Sequence, residues 1–178
     1  MAFMLLVFFL LATSMGTQKS IRQELSPRTD STRVAPLQVK KRDLLVVRLD
    51  KEGQTYIGQE AIPSSELKQR VKHFIENPSD DPDMPEKHLR ELPLIGPVQV
   101  TDTHVISFQY DSLTSYRDYF FVQNQLREAY RELREAGAKR LFHRSFEQAS
   151  AEQQEVIRAC YPQRISEAIA TSKKGGSN

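Results

Sequence analysis

The chain of 178 residues has no tryptophan, a single cysteine and only seven glycines. One cysteine, Cys160, excludes an intramolecular disulfide and any cysteine-built metal site. Set behind Val156 and Ile157 at helical spacing, it reads as a small buried hydrophobe. The four histidines stand singly in the sequence. There is no H-E-x-x-H, no G-x-S-x-G and no glycine loop able to cradle a phosphate. The sequence therefore predicts no catalytic residue, no metal ligand and no cofactor. An excess of one charge is missing too: 25 Lys and Arg stand against 23 Asp and Glu, a net charge of +2. That balance argues against a nucleic-acid partner, which calls for a concentrated basic face. No repeat of 20–50 residues and no sustained heptad occurs.

Long apolar runs are also scarce, with one exception at the front. Met1 to Met15 carries no charge, and Phe3, Leu5, Leu6, Val7, Phe8, Phe9, Leu10 and Leu11 are strongly apolar. At roughly −0.3 to −0.6 kcal/mol each, these eight favour membrane insertion by about 2.5 to 5 kcal/mol. A bilayer core about 30 Å thick takes about 20 helical residues to cross, and this run supplies about two thirds of that. A signal peptide would begin with a basic segment, whereas the first basic residue is Lys19. Three readings stay open on these residues alone: an incomplete transmembrane helix, an atypical leader or a buried core helix. A helix apolar on every side fits the last poorly. Taken alone, Lys19 and Arg22 behind the run would place the following domain in the cytoplasm, unless basic residues lie upstream.

The stretch 16–42 is rich in Gln, Ser, Thr and Arg, with Pro27 and Pro36, and is too poor in large apolar residues to offset its ordering entropy. It is predicted to be a flexible linker wandering about 25–30 Å. A domain is expected over 43–170. Leu44 to Leu49 and Gln54 to Ile57 read as a hairpin around the turn residues Asp50 to Gly53. Ser64 is the expected N-cap of a helix whose apolar stripe is Leu67, Val71, Phe74 and Ile75, ending at Asn77-Pro78. The acidic, proline-broken stretch Ser79 to Glu86 lacks calcium-loop spacing and reads as a solvated loop. Lys87 to Leu92 is expected to form a short helical turn. Val98 to Val100 and Thr103 to Tyr110 are predicted strands, with Ile106, Phe108 and Tyr110 on one face and His104 at its rim.

The longest predicted helix carries Tyr116, Tyr119, Val122, Leu126, Ala129, Tyr130 and Leu133 on one stripe and stops at Gly137 as C-cap. Its other face mixes arginines with acids and reads as solvated. Ser150 to Gln153 has the form of a capping box, opening a helix through Cys160 that Pro162 stops. Arg164 to Glu167 is expected as a last strand, and 171–178 as a disordered tail. The predicted class is α+β: a small sheet with helices on one face, behind a partial transmembrane helix over 1–15 and the linker.

Three stretches in this order resemble the ExbD/TolR family of biopolymer transport proteins, in the longer form of Bacteroidetes-type bacteria. Ala2 to Ser14 resembles the later part of the family's single transmembrane helix. Val47 to Leu67 resembles its strand–turn–strand–helix opening. Ser115 to Arg134 and Gln153 to Glu167 resemble the long form's helices and end. The resemblance implies an inner-membrane subunit with one transmembrane segment and its C-terminal domain in the periplasm. The implied partners are an ExbB/TolQ-like channel subunit, a TonB/TolA-like protein and a second copy of the chain. Proton passage would then drive TonB-dependent outer-membrane transport. The alternative is a TolR-like anchored module that binds cell wall or a partner. The family's proton-carrying aspartate would fall just upstream of Met1, so a front-truncated sequence is expected. Thr13 and Ser14 are candidate pore-lining hydroxyls, against plain helix-end residues. The acidic loop and the segment 138–162 exceed the family's short members, and their partners are left open.

Overall fold

Alternating burial along two strands sets the architecture of residues 39–170, the part that the computed structural model describes. These residues fall within one unit, Gln38–Asn178. In β1 (Leu44–Leu49), Val47 and Leu49 are buried while Leu44 and Arg48 are exposed. In β6 (Val105–Asp111), Ile106 and Phe108 are fully buried and Ser107 and Gln109 only partly. The two strands pair in parallel over six residues, from Leu44 opposite Val105 to Leu49 opposite Tyr110. Period-two alternation thus gives each strand one core face, and the register aligns the two faces.

A parallel pair cannot be closed by a tight turn, so the chain between these strands must cross over. It first returns through β2 (Thr55–Ile57) and β3 (Glu60–Ile62), both antiparallel, which completes the predicted hairpin and adds a short edge strand. α1 (Leu67–Glu76) then buries the expected Leu67, Val71, Phe74 and Ile75. The hairpin of β4 (His88–Leu92) and β5 (Gly96–Val100) stands as a separate two-stranded sheet. After β6 come α2 (Tyr116–Phe142) and α3 (Ala151–Cys160), and β7 (Ile165–Ala170) pairs in parallel with β6. The five-stranded sheet runs β3-β2-β1-β6-β7. The domain is α+β with a mixed sheet, and one core joins Val47, Ile106 and Phe108 to Leu67 and Ile75 of α1 and Leu126 and Leu133 of α2. The expected membrane helix, the linker up to residue 38 and the tail at 171–178 lie outside the described residues.

Five local expectations are corrected. Lys87 to Leu92 is not a helical turn: His88–Leu92 pairs with Gly96–Val100, and cross-strand pairing outweighs weak local helical character. Ser64 does not cap α1. Glu66 holds that position without a side-chain cap bond, and the Ser64 hydroxyl meets Thr55 Oγ1 at 2.9 Å. Tyr116 begins α2 but is 77% exposed, so the buried stripe starts later, with Val122. Gly137 does not end α2, which continues to Phe142 and turns left-handed at His143 (φ 53°). The capping box at Ser150, by contrast, forms in full.

Gly137 serves close packing instead. A Cβ there would lie 2.8 Å from Tyr161 Cε2. The Tyr161 ring has little room to move: it is buried, its hydroxyl accepts from Arg140 at 3.2 Å, and its carbonyl accepts two bonds from Arg134. Alanine gains about 1 kcal/mol over glycine in a helix interior, but overpacking costs about 1–3 kcal/mol. Gly137→Ala is therefore expected to lower the thermal midpoint, and to raise it in a Tyr161→Leu background where the ring is gone.

His104 is the fifth correction: it is fully buried, not at a rim. Its Nδ1–H donates to the Thr101 carbonyl, so neutral Nε2 accepts from the Tyr130 hydroxyl at 3.0 Å. The Tyr130 oxygen in turn accepts from the Arg164 backbone N–H at 3.4 Å. One histidine thus ties the start of β6 to the middle of α2 and the approach to β7. Burial pushes its imidazole below the usual range; Arg164 lowers it further, while the Thr101 carbonyl, Asp102 and Asp43 oppose the shift. The unfolded chain takes up a proton near pH 6.5 that the folded imidazole refuses. Stability from this group is therefore complete above about pH 6.5 and declines as pH falls below it, by at most about 1.4 kcal/mol per pH unit. Thermal melts from pH 7.5 to 5 should fall less steeply for His104→Gln than for the parent chain.

Candidate functional site

The chain joins its sheet through a basic lead-in, Val39-Lys-Lys-Arg42, followed by Asp43. Lys40 is extended (φ −58°, ψ 142°), Lys41–Asp43 form one turn of 3-10 helix, and Leu44 opens β1. The turn is closed by the Asp43 N–H donating to the Lys40 carbonyl at 2.9 Å. Asp43 is buried at 3% exposure, and its carboxylate accepts from the Glu86 N–H at 3.4 Å. The Glu86 carboxylate receives Lys40 Nζ at 3.2 Å and the Arg42 guanidinium. Two of the three cations of the lead-in are thus held by one carboxylate 44 and 46 residues away. Each pair is half exposed, and such pairs contribute only about 0.2–1 kcal/mol. Their consequence is geometric: they fix the direction in which the chain meets β1.

The acidic loop that supplies Glu86 is shaped by Asn77. This residue ends α1 in the left-handed region (φ 38°), which asparagine tolerates better than most side chains. Its Nδ2 donates to the carbonyls of Asp81 and Pro85 at 3.1 and 3.0 Å, and its Oδ1 accepts from the Asp81 N–H at 2.7 Å. Asp81 Oδ1 in turn accepts from the Asp83 N–H at 2.9 Å. The aspartates thus stabilise turns rather than converging, and among the described residues no group of three metal-ligating side chains comes together. The sequence left the loop without a partner. Through Glu86 it grips the chain's own basic lead-in. The Asn-Pro pair was visible as a helix stop, but nothing local marked Glu86 as the partner of residues more than forty positions earlier.

The mechanical setting follows from topology. β1 lies between β2 and β6, bonded on both sides, and its first residues continue the lead-in. A pull on Lys40 along the strand direction loads the β1–β6 ladder in shear, so its hydrogen bonds share the load rather than opening one at a time. Arg48, on the open face of the same strand, lies 5.2 Å from the centroid of the Tyr56 ring. Among the described residues, no helix is long and apolar enough to cross a membrane. The sequence-predicted membrane residues Phe3, Leu5, Leu6, Val7, Phe8, Phe9, Leu10 and Leu11, and the candidate pore hydroxyls of Thr13 and Ser14, lie outside the described residues.

This is a small mixed-sheet α+β domain with a clamped N-terminal lead-in that continues into its central strand. Residues 1–134 match the family model of biopolymer transport protein ExbD/TolR, and the chain belongs to that family. A search of curated proteins finds no match. The family match ends inside α2, so the rest of that helix, α3 and β7 lie beyond it.

The clamp makes a direct prediction. Glu86→Gln removes the charge shared by Lys40 and Arg42, and about 1 kcal/mol or less of global stability goes with it. The lead-in loses more than the core: amide hydrogen exchange at Lys41 to Leu44 is expected to speed up selectively while that of Ile106 and Phe108 does not change. Unchanged exchange at Lys41 to Leu44 would mean that the pairs do not hold the chain.

Proposed function

We propose that the chain is a membrane-anchored, energy-transducing subunit of an ExbB/ExbD-type motor. In this reading residues 1–15 form part of one membrane-spanning helix, 16–42 a periplasmic linker, 43–170 a periplasmic domain and 171–178 a tail. The chain acts as a homodimer with an ExbB/TolQ-like channel subunit in the bacterial inner membrane. Proton flow through that assembly moves the domain, which passes force to a TonB/TolA-like protein and so energises outer-membrane transport. Phe3 and Leu5 to Leu11 are the membrane-spanning residues, and Thr13 and Ser14 are candidate pore-lining hydroxyls, against plain helix-end residues. One observation carries the reading: the family match begins at residue 1 and takes in the apolar run, the linker and the domain as far as Arg134. The central position of β1 supports it, because force arriving through the linker meets a strand bonded on both edges.

A TolR-like role, in which the anchored domain binds cell wall or a partner, is the second reading. The same family match favours it. Capture separates the two: recovery of a TonB-like protein on cross-linking supports the first, and recovery of a TolA-like protein or of cell-wall fragments supports the second.

The anchor itself is tested by fractionation. The parent chain is expected in carbonate-washed membranes, with its domain cut by protease added to spheroplasts. Leu6→Arg places a charge that costs about 2.5–3.5 kcal/mol at a helix centre, most of what the apolar run gains. That variant should move largely to the soluble fraction. A parent chain that is itself soluble would overturn the proposal.

A further inference from the structure

At the end of the sheet opposite Val39, β1 and β6 finish and α2 begins. Four large apolar side chains are exposed there within nine residues: Leu113 (75%), Tyr116 (77%), Phe120 (51%) and Phe121 (47%). Single exposed hydrophobes are ordinary, but a contiguous group of this kind marks an interaction surface. The rings form a ladder rooted in the core. Phe120 stacks on Tyr116 at 6.0 Å, Tyr116 lies 6.4 Å from Tyr119, and Tyr119 packs on Tyr110 at 4.8 Å and on buried Phe108 at 5.6 Å. A ridge fixed in this way is already ordered, so a ligand loses little affinity to arranging it. An open groove continues from the ridge past Phe121 and Asn124 to Ser64.

The surroundings give this surface a charge preference. Asp50, Asp111 and Asp118 lie at the same end: Thr114 donates its hydroxyl to the Asp50 carbonyl at 3.0 Å and its N–H to the Asp111 carbonyl at 3.1 Å, and a Cβ on Gly53 would lie 2.9 Å from Asp118 Oδ2. Their carboxylates accept from the N–H groups of Glu52, Gln54 and Leu113 and from the hydroxyls of Tyr56 and Ser115. Among the described residues none of the three is paired with a cation. The nearby positive charges are Lys51, already paired with Glu52 at 3.4 Å, Arg48, which lies over the Tyr56 ring, and Arg117, which lines the groove. The chain's basic lead-in cannot supply the missing cations. Lys40 and Arg42 are held on Glu86 at the other end, and a six-residue strand separates the two ends by about 20 Å.

We propose that this pole is a docking surface for an extended segment of another protein that carries lysine or arginine. Its cations lie over the faces of Tyr116 and Phe120, where ring quadrupoles attract them, and the three carboxylates supply the opposite charge. Asn124, in the lining of the groove, offers hydrogen bonds to the segment's backbone. The inference deepens the proposed role by giving the chemistry of the partner that receives the force, and for that biological meaning it rests on that reading. The binding itself does not, because it needs neither proton flow nor the channel subunit.

The test uses the full chain in a non-ionic detergent and three dye-labelled dodecapeptides of repeated Lys-Pro-Ala, Glu-Pro-Ala and Ser-Pro-Ala. Proline keeps each probe extended. The lysine peptide is expected to bind at least tenfold more tightly than the other two and to weaken as salt is raised from 50 to 500 mM. Tyr116→Ala with Phe120→Ala should weaken it at least tenfold. Asp111→Asn, which keeps the bond from the Leu113 N–H, should weaken it severalfold, with unchanged circular dichroism as the folding control. Equal binding of all three peptides, or no effect of the aromatic pair, overturns the proposal. So does lysine-peptide binding that appears only after residues 171–178 are deleted, because Lys173 and Lys174 would then be the occupant. A concentration-dependent dimer abolished by the aromatic pair would assign the pole to a second copy, and likewise overturns it. Failure of the membrane test leaves this result standing, and failure here leaves the membrane test standing.

Discussion

The parallel pairing of β1 with β6 is the constraint from which the rest of the domain follows. Two parallel neighbours need a long crossover, so everything from Asp50 to His104 has to leave one end of the sheet and return to the other. That crossover carries the helix and hairpin that cover the core. The second parallel pair, β6 with β7, imposes the same requirement, met by α2 and α3. Because β1, β6 and β7 all run one way, the chain enters the sheet at one pole and its last described strand ends at the other. The polarity on which the proposed role relies is thus a property of strand direction before any side chain is considered.

Side chains then lock the crossovers in place. Tyr130, on α2, accepts from the N–H of Arg164 ahead of β7 and donates to His104 ahead of β6, so one hydroxyl aligns a helix with the starts of two strands. Further along the helix, Gly137 lets the Tyr161 ring sit against the backbone, which brings the end of α3 onto α2. On the opposite flank Glu132 receives Lys68 at 2.6 Å and Lys72 at 3.0 Å from α1. The amines hold that carboxyl below the usual range, Lys68 first. α2 is therefore registered at three levels by three kinds of contact: a buried polar chain, a close backbone approach and a part-exposed ion pair.

How much of this was legible in the sequence depends on the range of each interaction. Period-two alternation named the core residues of β6, and helical spacing named those of α1, because both patterns are local. The capping box at Ser150 was readable for the same reason. Lys87 to Leu92 was misread because its strand character comes from pairing with Gly96–Val100, not from its own residues. Gly137 carried a real signal, glycine late in a helix, but a C-cap and a close-packing site look alike without the distant Tyr161. His104 was placed on the correct face and at the wrong depth, since its two partners sit at Thr101 and Tyr130. The clamp at Glu86 and the aromatic pole had no sequence signature, because each joins segments that only the crossover brings together. The proposed membrane residues rest on local apolarity and on the family match alone.

The distribution of charge adds a last constraint on how such a domain could work. Residues 16–42 hold seven Lys and Arg against two Asp and Glu, and of these cations Lys40 and Arg42 are held by Glu86. At the far end Asp50, Asp111 and Asp118 have no cation partner among the described residues. Among the described residues, Lys40 and Arg42 thus stand where the chain meets the sheet and the three carboxylates where the sheet ends, with β1 running between them. In the proposed role this separates the two tasks of a coupling domain. Lys40 and Arg42 are satisfied internally, so they can carry tension without competing for partners, while the acidic end keeps its charge for docking. A partner engaged at Tyr116 and Phe120 would be joined to the linker by one strand whose ladders are loaded in shear. Force would then reach that partner through a strand bonded on both edges, and the loops would bear little of it.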